Sequence, residues 1–293
     1  MTHRLVYNYH SYAMDLPYLT YFNLTEEPFS TVPSPRYFFL TTVHATALEK
    51  TAFVVAARKG LATVFGDTGT GKSSLARLLH QKFLDSGFLS TLLTNPNYPT
   101  AFSLLRQIAK EMGIPTHKGF AGQLELVKQY LFDQALTQDQ TVVLILDEAQ
   151  TLKPSLIELL RQLANYETND RKLVQLVLFG QEELRDVLGR PRLKNFRDRV
   201  VMASTLEPLS AKELGAMLAF RWQVASGKTA HPFTDEAIAA LFRHSAGMPR
   251  RANILADNAL LLAFYRKQAQ ITAALIDAAA ADRHENLDRK EAA

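Results

Sequence analysis

The sequence predicts a three-layer α/β domain, a five-stranded parallel sheet between two layers of helices, followed by a separate all-helical domain. Three observations carry this expectation. The runs LATVFG (61–66), LSTLLT (89–94), TVVLILD (141–147) and LVQLVLFG (173–180) are short and nearly continuously apolar, the pattern of strands covered on both faces. Amphipathic stretches at 72–85, 101–112, 121–136, 155–165 and 182–188 separate them, an alternation that gives parallel strands joined by crossover helices. After Pro208 the strand signal stops, and SAKELGAMLAFRWQVA, TDEAIAALFRHSA, PRRANILADNALLLAFYRK and ITAALIDAAAADR carry apolar residues at helical spacing.

A fifth strand falls at VVMAST, 200–205. Pro154, followed by Ser155, fits the first turn of a helix, where its missing N–H costs nothing. Ser210 and Thr234 or Asp235 are natural N-caps, and Gly247 with Pro249 separates two helices. The prolines and aromatics of PFSTVPSPRYFFL (28–40) describe an extended segment pinned against the core. The expected division is therefore an N-terminal extended segment packing on the core (1–45), the α/β domain (46–207), a helical domain (208–283) and a disordered charged tail (284–293). Met14 is a second candidate start, so residues 1–13 stand apart.

Composition sets outer limits. A chain of 293 residues, 47% of them hydrophobic, can bury a full core. Lys and Arg number 33 against 29 Asp and Glu, a net charge of +4 that permits contact with polyanions without demanding it. The absence of cysteine excludes disulfides, thiolate metal ligands and a thiol nucleophile. The first residues lack the apolar run of a signal peptide, and no segment approaches the roughly 18 apolar residues of a membrane span. The chain reads as soluble and cytoplasmic.

The chemistry is concentrated in a few motifs. GDTGTGKSS (Gly66, Asp67, Thr68, Gly69, Thr70, Gly71, Lys72, Ser73, Ser74) matches G-x-x-x-x-G-K-[ST], follows a strand and opens a helix, the context of a phosphate-binding loop. Its glycines let backbone N–H groups turn inward, Lys72 reaches the β- and γ-phosphates of ATP, and Ser73 ligates Mg²⁺. TVVLILDEAQ brings Asp147 and Glu148 to the C-terminal edge of the sheet, where Asp147 would hold the Mg²⁺ shell and Glu148 would polarise the attacking water. Gln181, ending the next strand, can bond that water or the γ-phosphate, or simply open a helix. RPRLKNFRDRV holds Arg197 and Arg199, either of which could serve as an arginine finger on a neighbouring subunit; a solvated basic helix face is the alternative. Arg250 in GMPRR opens a helix, aimed back at the nucleotide or lying on the surface.

These elements in this order, with a helical domain after them, resemble an AAA+ ATPase. FNLTEEPFSTVPSPRYFFLTTVHATALEK, GDTGTGKSS, LILDEAQTLKPSLIELLRQLANYETNDRKLVQLVLFGQEEL, NFRDRV and GMPRRANILADNALL together resemble the ExeA/GspA type, from about Tyr21 to Arg283. That resemblance implies Lys72 and Ser73 in the phosphate loop, Asp147 and Glu148 at the metal and water, Gln181 and Arg250 as first and second sensors, and the Arg197/Arg199 region as finger. It also places the segment around Pro35, Arg36 and Tyr37 at the adenine. Secretion-type members usually continue into a membrane span and a wall-binding domain, which this sequence does not include. Two roles follow, both as a homo-oligomer, a ring or a filament in ATP. One is an assembly ATPase for a secretion or type IV pilus system with a membrane-anchored partner. The other is a double-stranded-DNA-bound ATPase that selects targets for a transposase.

Overall fold

The computed structural model describes residues 16–288. The readings made for residues 1–13, Met14 and 289–293 lie outside the described residues. In chain order the elements are α1 (Pro17–Phe22), a 3-10 turn (Pro35–Tyr37), α2 (Thr42–Ala56), β1 (Leu61–Gly66), α3 (Lys72–Asp85), β2 (Leu89–Leu93), α4 (Ala101–Glu111) and α5 (Phe120–Phe132). A π turn (Asp133–Thr137) leads to β3 (Val142–Leu146), a 3-10 turn (Ala149–Thr151), α6 (Pro154–Ala164), β4 (Val174–Gly180) and α7 (Glu182–Gly189). There follow a 3-10 turn (Pro191–Leu193), α8 (Lys194–Arg197), β5 (Val200–Leu206), α9 (Ala211–Ser226), α10 (Asp235–Ser245), α11 (Pro249–Tyr265) and α12 (Ala273–Asp288). They form two compact units, one of Pro33–Pro208, the other joining the N-terminal residues up to Val32 with Leu209 onward.

The first unit is the predicted αβα sandwich. Its strands lie in the order β2-β3-β4-β1-β5, all parallel. Side chains alternate across a strand, so each apolar run feeds two cores. Leu61, Phe65, Leu144, Leu146, Leu176 and Leu178 pack with α4 and α6 through Leu104, Ile108 and Leu160. Val64, Val143, Ile145, Val177 and Phe179 pack on the other face with Leu48 and Val55 of α2 and Leu75 and Leu79 of α3. Every residue of β1, β3 and β4 is buried, which is why those runs are apolar but for Thr63 and Gln175; edge strand β5 alternates between half-buried and exposed up to buried Leu206.

The second unit is helical. Ser210 and Glu213 form a capping box on α9, and Thr234 caps α10 through the Ala237 N–H. Gly247 has φ 73°, and a Cβ there would lie 2.2 Å from the Leu209 carbonyl, so no other residue fits the turn before α11.

Four local expectations change. Residues 16–32 are not an extended segment on the α/β core: α1 is a helix, and Tyr18 and Phe29 are buried within the helical unit. Arg221 holds this stretch by donating to the carbonyls of Pro28 (2.7 Å) and Ser30 (2.8 Å). The α/β unit begins at Pro33 rather than at residue 46, because α2 starts at Thr42 and buries Ala47, Leu48 and Val55 in its core. The helix expected at 121–136 ends at Phe132 and widens into the π turn. Finally, α12 continues to Asp288, five residues into the expected disordered tail of 284–293.

Candidate functional site

The strand order determines the site. With β4 lying between β1 and β3, the loop leaving β1 and the carboxylates following β3 flank the end of β4. Asp67 and Thr68 are exposed, Gly69 is half-buried, and Gly69 and Gly71 have φ 90° and 103°, left-handed values that favour glycine. At Gly66 a Cβ would sit 2.8 Å from both the Leu206 carbonyl and Thr70 Oγ1. Thr70 is buried and its hydroxyl donates to the Asp67 carbonyl at 2.8 Å, tightening the turn. The N-cap of α3 is Gly71 and no side chain caps it, so the first-turn N–H groups and the positive end of the helix dipole face the loop. Ser74 is half-buried in that first turn.

Lys72 is buried and its Nζ donates to the carbonyls of Gly66 (2.7 Å) and Asp67 (2.8 Å). Burial pushes its pKa down; the negative charges of Glu148 and Asp147 oppose that shift. Asp147 is also buried, and desolvation raises its carboxyl pKa against the lowering effect of the Ser73 hydroxyl and of the Glu148 N–H, which donates to Oδ1 at 2.9 Å. Its own N–H bonds the Leu93 carbonyl at 2.8 Å, tying the turn to β2. Glu148 has φ 56° and ψ 37°, a left-handed conformation uncommon for a non-glycine residue and characteristic of functional turns.

Gln181 joins the two sides. Thr68 Oγ1 donates to Gln181 Oε1 at 2.8 Å, and Gln181 Nε2 donates to Glu148 Oε2 at 3.3 Å. Gln150 completes the line: its Nε2 donates to Glu148 Oε2, and its Oε1 accepts the Gln181 N–H at 3.1 Å. Sequence reasoning passed over Gln150, although its place two residues after Glu148 at a strand end was visible. It also passed over buried His44, whose Nε2 lies 2.9 Å from the Thr70 carbonyl. Nothing in local spacing marks that histidine, because the contact arises from the packing of α2.

The remaining candidates lie on other elements. Arg36 and Tyr37 form the 3-10 turn that packs on α3, with the Arg36 guanidinium 5.8 Å from the Tyr37 ring centre. Arg197 reaches the Gly189 carbonyl (3.5 Å) and Asp198 (3.9 Å). Arg199 immediately precedes Val200, which pairs with Leu61 at the opposite end of β1 from the loop. Arg199 is not brought to this chain's own phosphate loop. Arg250 is exposed in the first turn of α11, in the helical unit.

This donor set fits a nucleoside triphosphate with Mg²⁺. The loop offers N–H groups and one ammonium to phosphate, and Ser73 with Asp147 offers hard oxygens to the cation. Among the described residues no group of three or more His, Asp or Glu side chains forms a metal cage. Mg²⁺ typically needs none, being held by one or two protein oxygens together with substrate phosphates.

The comparisons agree with this geometry. Residues 56–188 match the family model of the AAA domain. Over 251 residues the chain is 36% identical to General secretion pathway protein A of Aeromonas hydrophila, covering 85% of this chain and 45% of that relative. The chain carries an AAA domain and is similar to the AAA+ proteins of the ExeA/GspA type. It spans a little under half the length of that curated relative. Among solved structures, the Drosophila ORC bound to DNA superposes with a TM-score of 0.68 at 17% identity, covering 95% of this chain and 68% of that one. The Aeropyrum pernix ORC2 protein gives 0.65 at 17% identity, covering 88% and 72%. The RuvB Holliday junction branch migration motor of Thermotoga maritima gives 0.51 at 16% identity, covering 80% and 67%. At such identities these likenesses concern the fold. No helix among the described residues is long and apolar enough to cross a membrane.

Proposed function

We propose that this ExeA/GspA-type chain binds ATP with Mg²⁺ at Gly66–Ser74, hydrolyses it to ADP and phosphate, and works in the cytoplasm as a homo-oligomeric switch in assembling a secretion or type IV pilus system. The observation that carries hydrolysis is the hydrogen-bonded line Thr68–Gln181–Glu148–Gln150, which ties a carboxylate after β3 to the phosphate loop across the end of β4. Glu148, held by two amide donors, is placed to accept a proton from an attacking water. Lys72 exchanges its two carbonyl partners for phosphate oxygens, which offsets the desolvation of its ammonium. Ser73 and Asp147 hold Mg²⁺, which supplies charge neutralisation at the phosphates. Arg36 and Tyr37 border the adenine. Arg250 acts as second sensor, and Arg197 or Arg199 serves the site of another copy.

The name of the Aeromonas hydrophila relative favours the secretion role, with a membrane-anchored partner. A DNA-bound, transposase-associated role is the second reading. Arg250, Arg251, Arg266 and Lys267 are all exposed on the helical unit, and a solved neighbour of similar fold is bound to DNA.

ATP titration and phosphate release by the unaltered chain, Lys72→Ala and Glu148→Gln test the catalytic reading. Lys72→Ala should abolish nucleotide binding with the fold intact, and Glu148→Gln should bind ATP without turning it over. Unchanged turnover in Glu148→Gln overturns the mechanism.

A further inference from the structure

We infer that His44 is a positioning residue of the phosphate loop: it holds the Thr70–Gly71 peptide so that the Gly71 N–H faces the bound phosphates. The inference rests on the reading of Gly66–Ser74 as the nucleotide site.

His44 lies in the first turn of α2 and is buried. Its Nε2 is 2.9 Å from the Thr70 carbonyl oxygen, and its Nδ1 is 2.6 Å from Thr41 Oγ1. A carbonyl can only accept, so Nε2 carries a proton; in the neutral ring Nδ1 is then the acceptor and the Thr41 hydroxyl donates to it. The same hydroxyl caps α2 by accepting the His44 backbone N–H at 3.3 Å. One threonine therefore fixes both the backbone and the ring of His44. The ring is held on its flank by Phe38, edge-on with centroids 5.1 Å apart.

The consequence passes through the peptide plane. In a trans peptide the C=O and the following N–H point in opposite directions. With the Thr70 carbonyl turned onto His44, the Gly71 N–H is turned away from α2, to where a donor can serve a phosphate. Gly71 is also what admits the ring, since a Cβ there would lie 3.0 Å from His44 Nε2 and 3.1 Å from Phe38 Cε2. His44 contacts the loop backbone rather than any reacting atom, so its effect belongs to affinity more than to the chemical step.

The test compares the unaltered chain with His44→Gln, His44→Asn and His44→Leu, using MgATP and MgADP titration and steady-state phosphate release. Glutamine can place a donating amide near the position of Nε2; asparagine is too short and leucine donates nothing. Asn and Leu should weaken MgATP and MgADP binding about tenfold, the loss expected for one hydrogen bond, with kcat at saturating ATP within about twofold. Gln should stay within about threefold of the unaltered chain. The Gly71 amide resonance should shift on adding MgADP in the unaltered and Gln chains and barely move in Asn. If Leu fails to fold, the Gln and Asn pair decides. Asn binding as tightly as the unaltered chain, or Gln as weakly as Asn, overturns the inference. An unaltered chain that binds no MgATP would instead remove the nucleotide reading itself.

Discussion

Gln181 and Glu148 follow neighbouring parallel strands and meet through an amide-to-carboxylate hydrogen bond of 3.3 Å. The other end of the Gln181 amide accepts the Thr68 hydroxyl at 2.8 Å, so a single side chain spans from the phosphate loop to the candidate base. Truncating it should leave the base held by Gln150 alone and untied from the loop, while the loop, Lys72 and Ser73 remain in place. Gln181→Ala is expected to lower kcat by about a hundredfold, the usual loss for one preorganised donor, with ATP affinity changed by only a few-fold. Steady-state kinetics beside equilibrium ATP titration separate the two quantities. A fall in affinity with kcat intact would assign Gln181 to binding instead.

A second prediction concerns the helical unit. The buried Tyr18 hydroxyl donates to Asp257 Oδ1 at 2.5 Å, joining α1 to α11. Burial raises the Asp257 carboxyl above its ordinary value, and the Tyr18 hydrogen bond pulls it part of the way back. Glu27, raised by its own burial and by the nearby Asp257 charge, adds to the same carboxylate pressure. Since the folded Asp257 keeps its proton to a higher pH than the unfolded chain, stability from this group is greatest below 3.8 and falls as pH rises through the shifted value. Tyr18→Phe removes the bond that eases ionisation. It should cost about 1.5–3 kcal/mol at a pH above the shifted value, where the carboxylate is charged, and less near pH 3. Thermal unfolding at both pH values measures the difference, and an equal loss at each would detach the effect from Asp257 ionisation.

How far the sequence could be read follows from where each signal resides. Strands β1, β3 and β4 were legible because burial on both faces makes them apolar but for Thr63 and Gln175, and the loop was legible because phosphate chemistry fixes its spacing. The placement of residues 16–32 was not, since it depends on partners 193 and 239 positions away: Arg221 on Pro28, and Asp257 on Tyr18. The π turn after Phe132 was equally hidden, because five residues at slightly wider winding carry the same composition as a helix. His44 became visible only once packing brought α2 beside the loop, whereas Gln150 stood two residues after Glu148 in plain sequence and only its bonds to Glu148 and Gln181 needed the fold.

The finger arginines give a prediction about assembly. Along β1 and β5 the paired residues run from Leu61–Val200 to Gly66–Leu206, so Arg199, one residue before Val200, starts roughly 20 Å of strand away from Gly66, beyond an arginine's reach. Arg199 as a finger can act only in trans. Specific ATPase activity should therefore rise with protein concentration. Mixing inactive Glu148→Gln subunits with inactive Arg197→Ala or Arg199→Ala subunits should restore part of the activity, each supplying what the other lacks, and the variant that complements identifies the finger. Activity that is flat with concentration, and no complementation by either mixture, would mean that each chain hydrolyses ATP alone.

The last prediction separates the two biological roles. A chain that tracks DNA must neutralise phosphates with several cations, and the candidates are exposed Arg250 and Arg251 at the start of α11, exposed Arg266 and Lys267 just past its end, and the basic segment 190–199. Four phosphate contacts per bound subunit give a slope of about −3.6 in log affinity against log salt, hence a loss of roughly 150-fold between about 50 and 200 mM. Replacing Arg266 and Lys267 together by Ala should flatten that slope by about two contacts without touching the nucleotide site. Binding should also require ATP over ADP, because only an assembled oligomer aligns the patches of successive subunits, and it should be indifferent to base sequence, since contacts of this kind meet phosphates rather than base edges. An assembly factor for an envelope machine needs none of this; it should show little DNA affinity with ATP present and should co-purify with a membrane-anchored partner. Fluorescence anisotropy with random duplex in ATP and in ADP, over that range of salt, distinguishes them. ATP-dependent, salt-steep binding would transfer the assignment from secretion to transposition, and its absence at 50 mM salt would leave the secretion role alone.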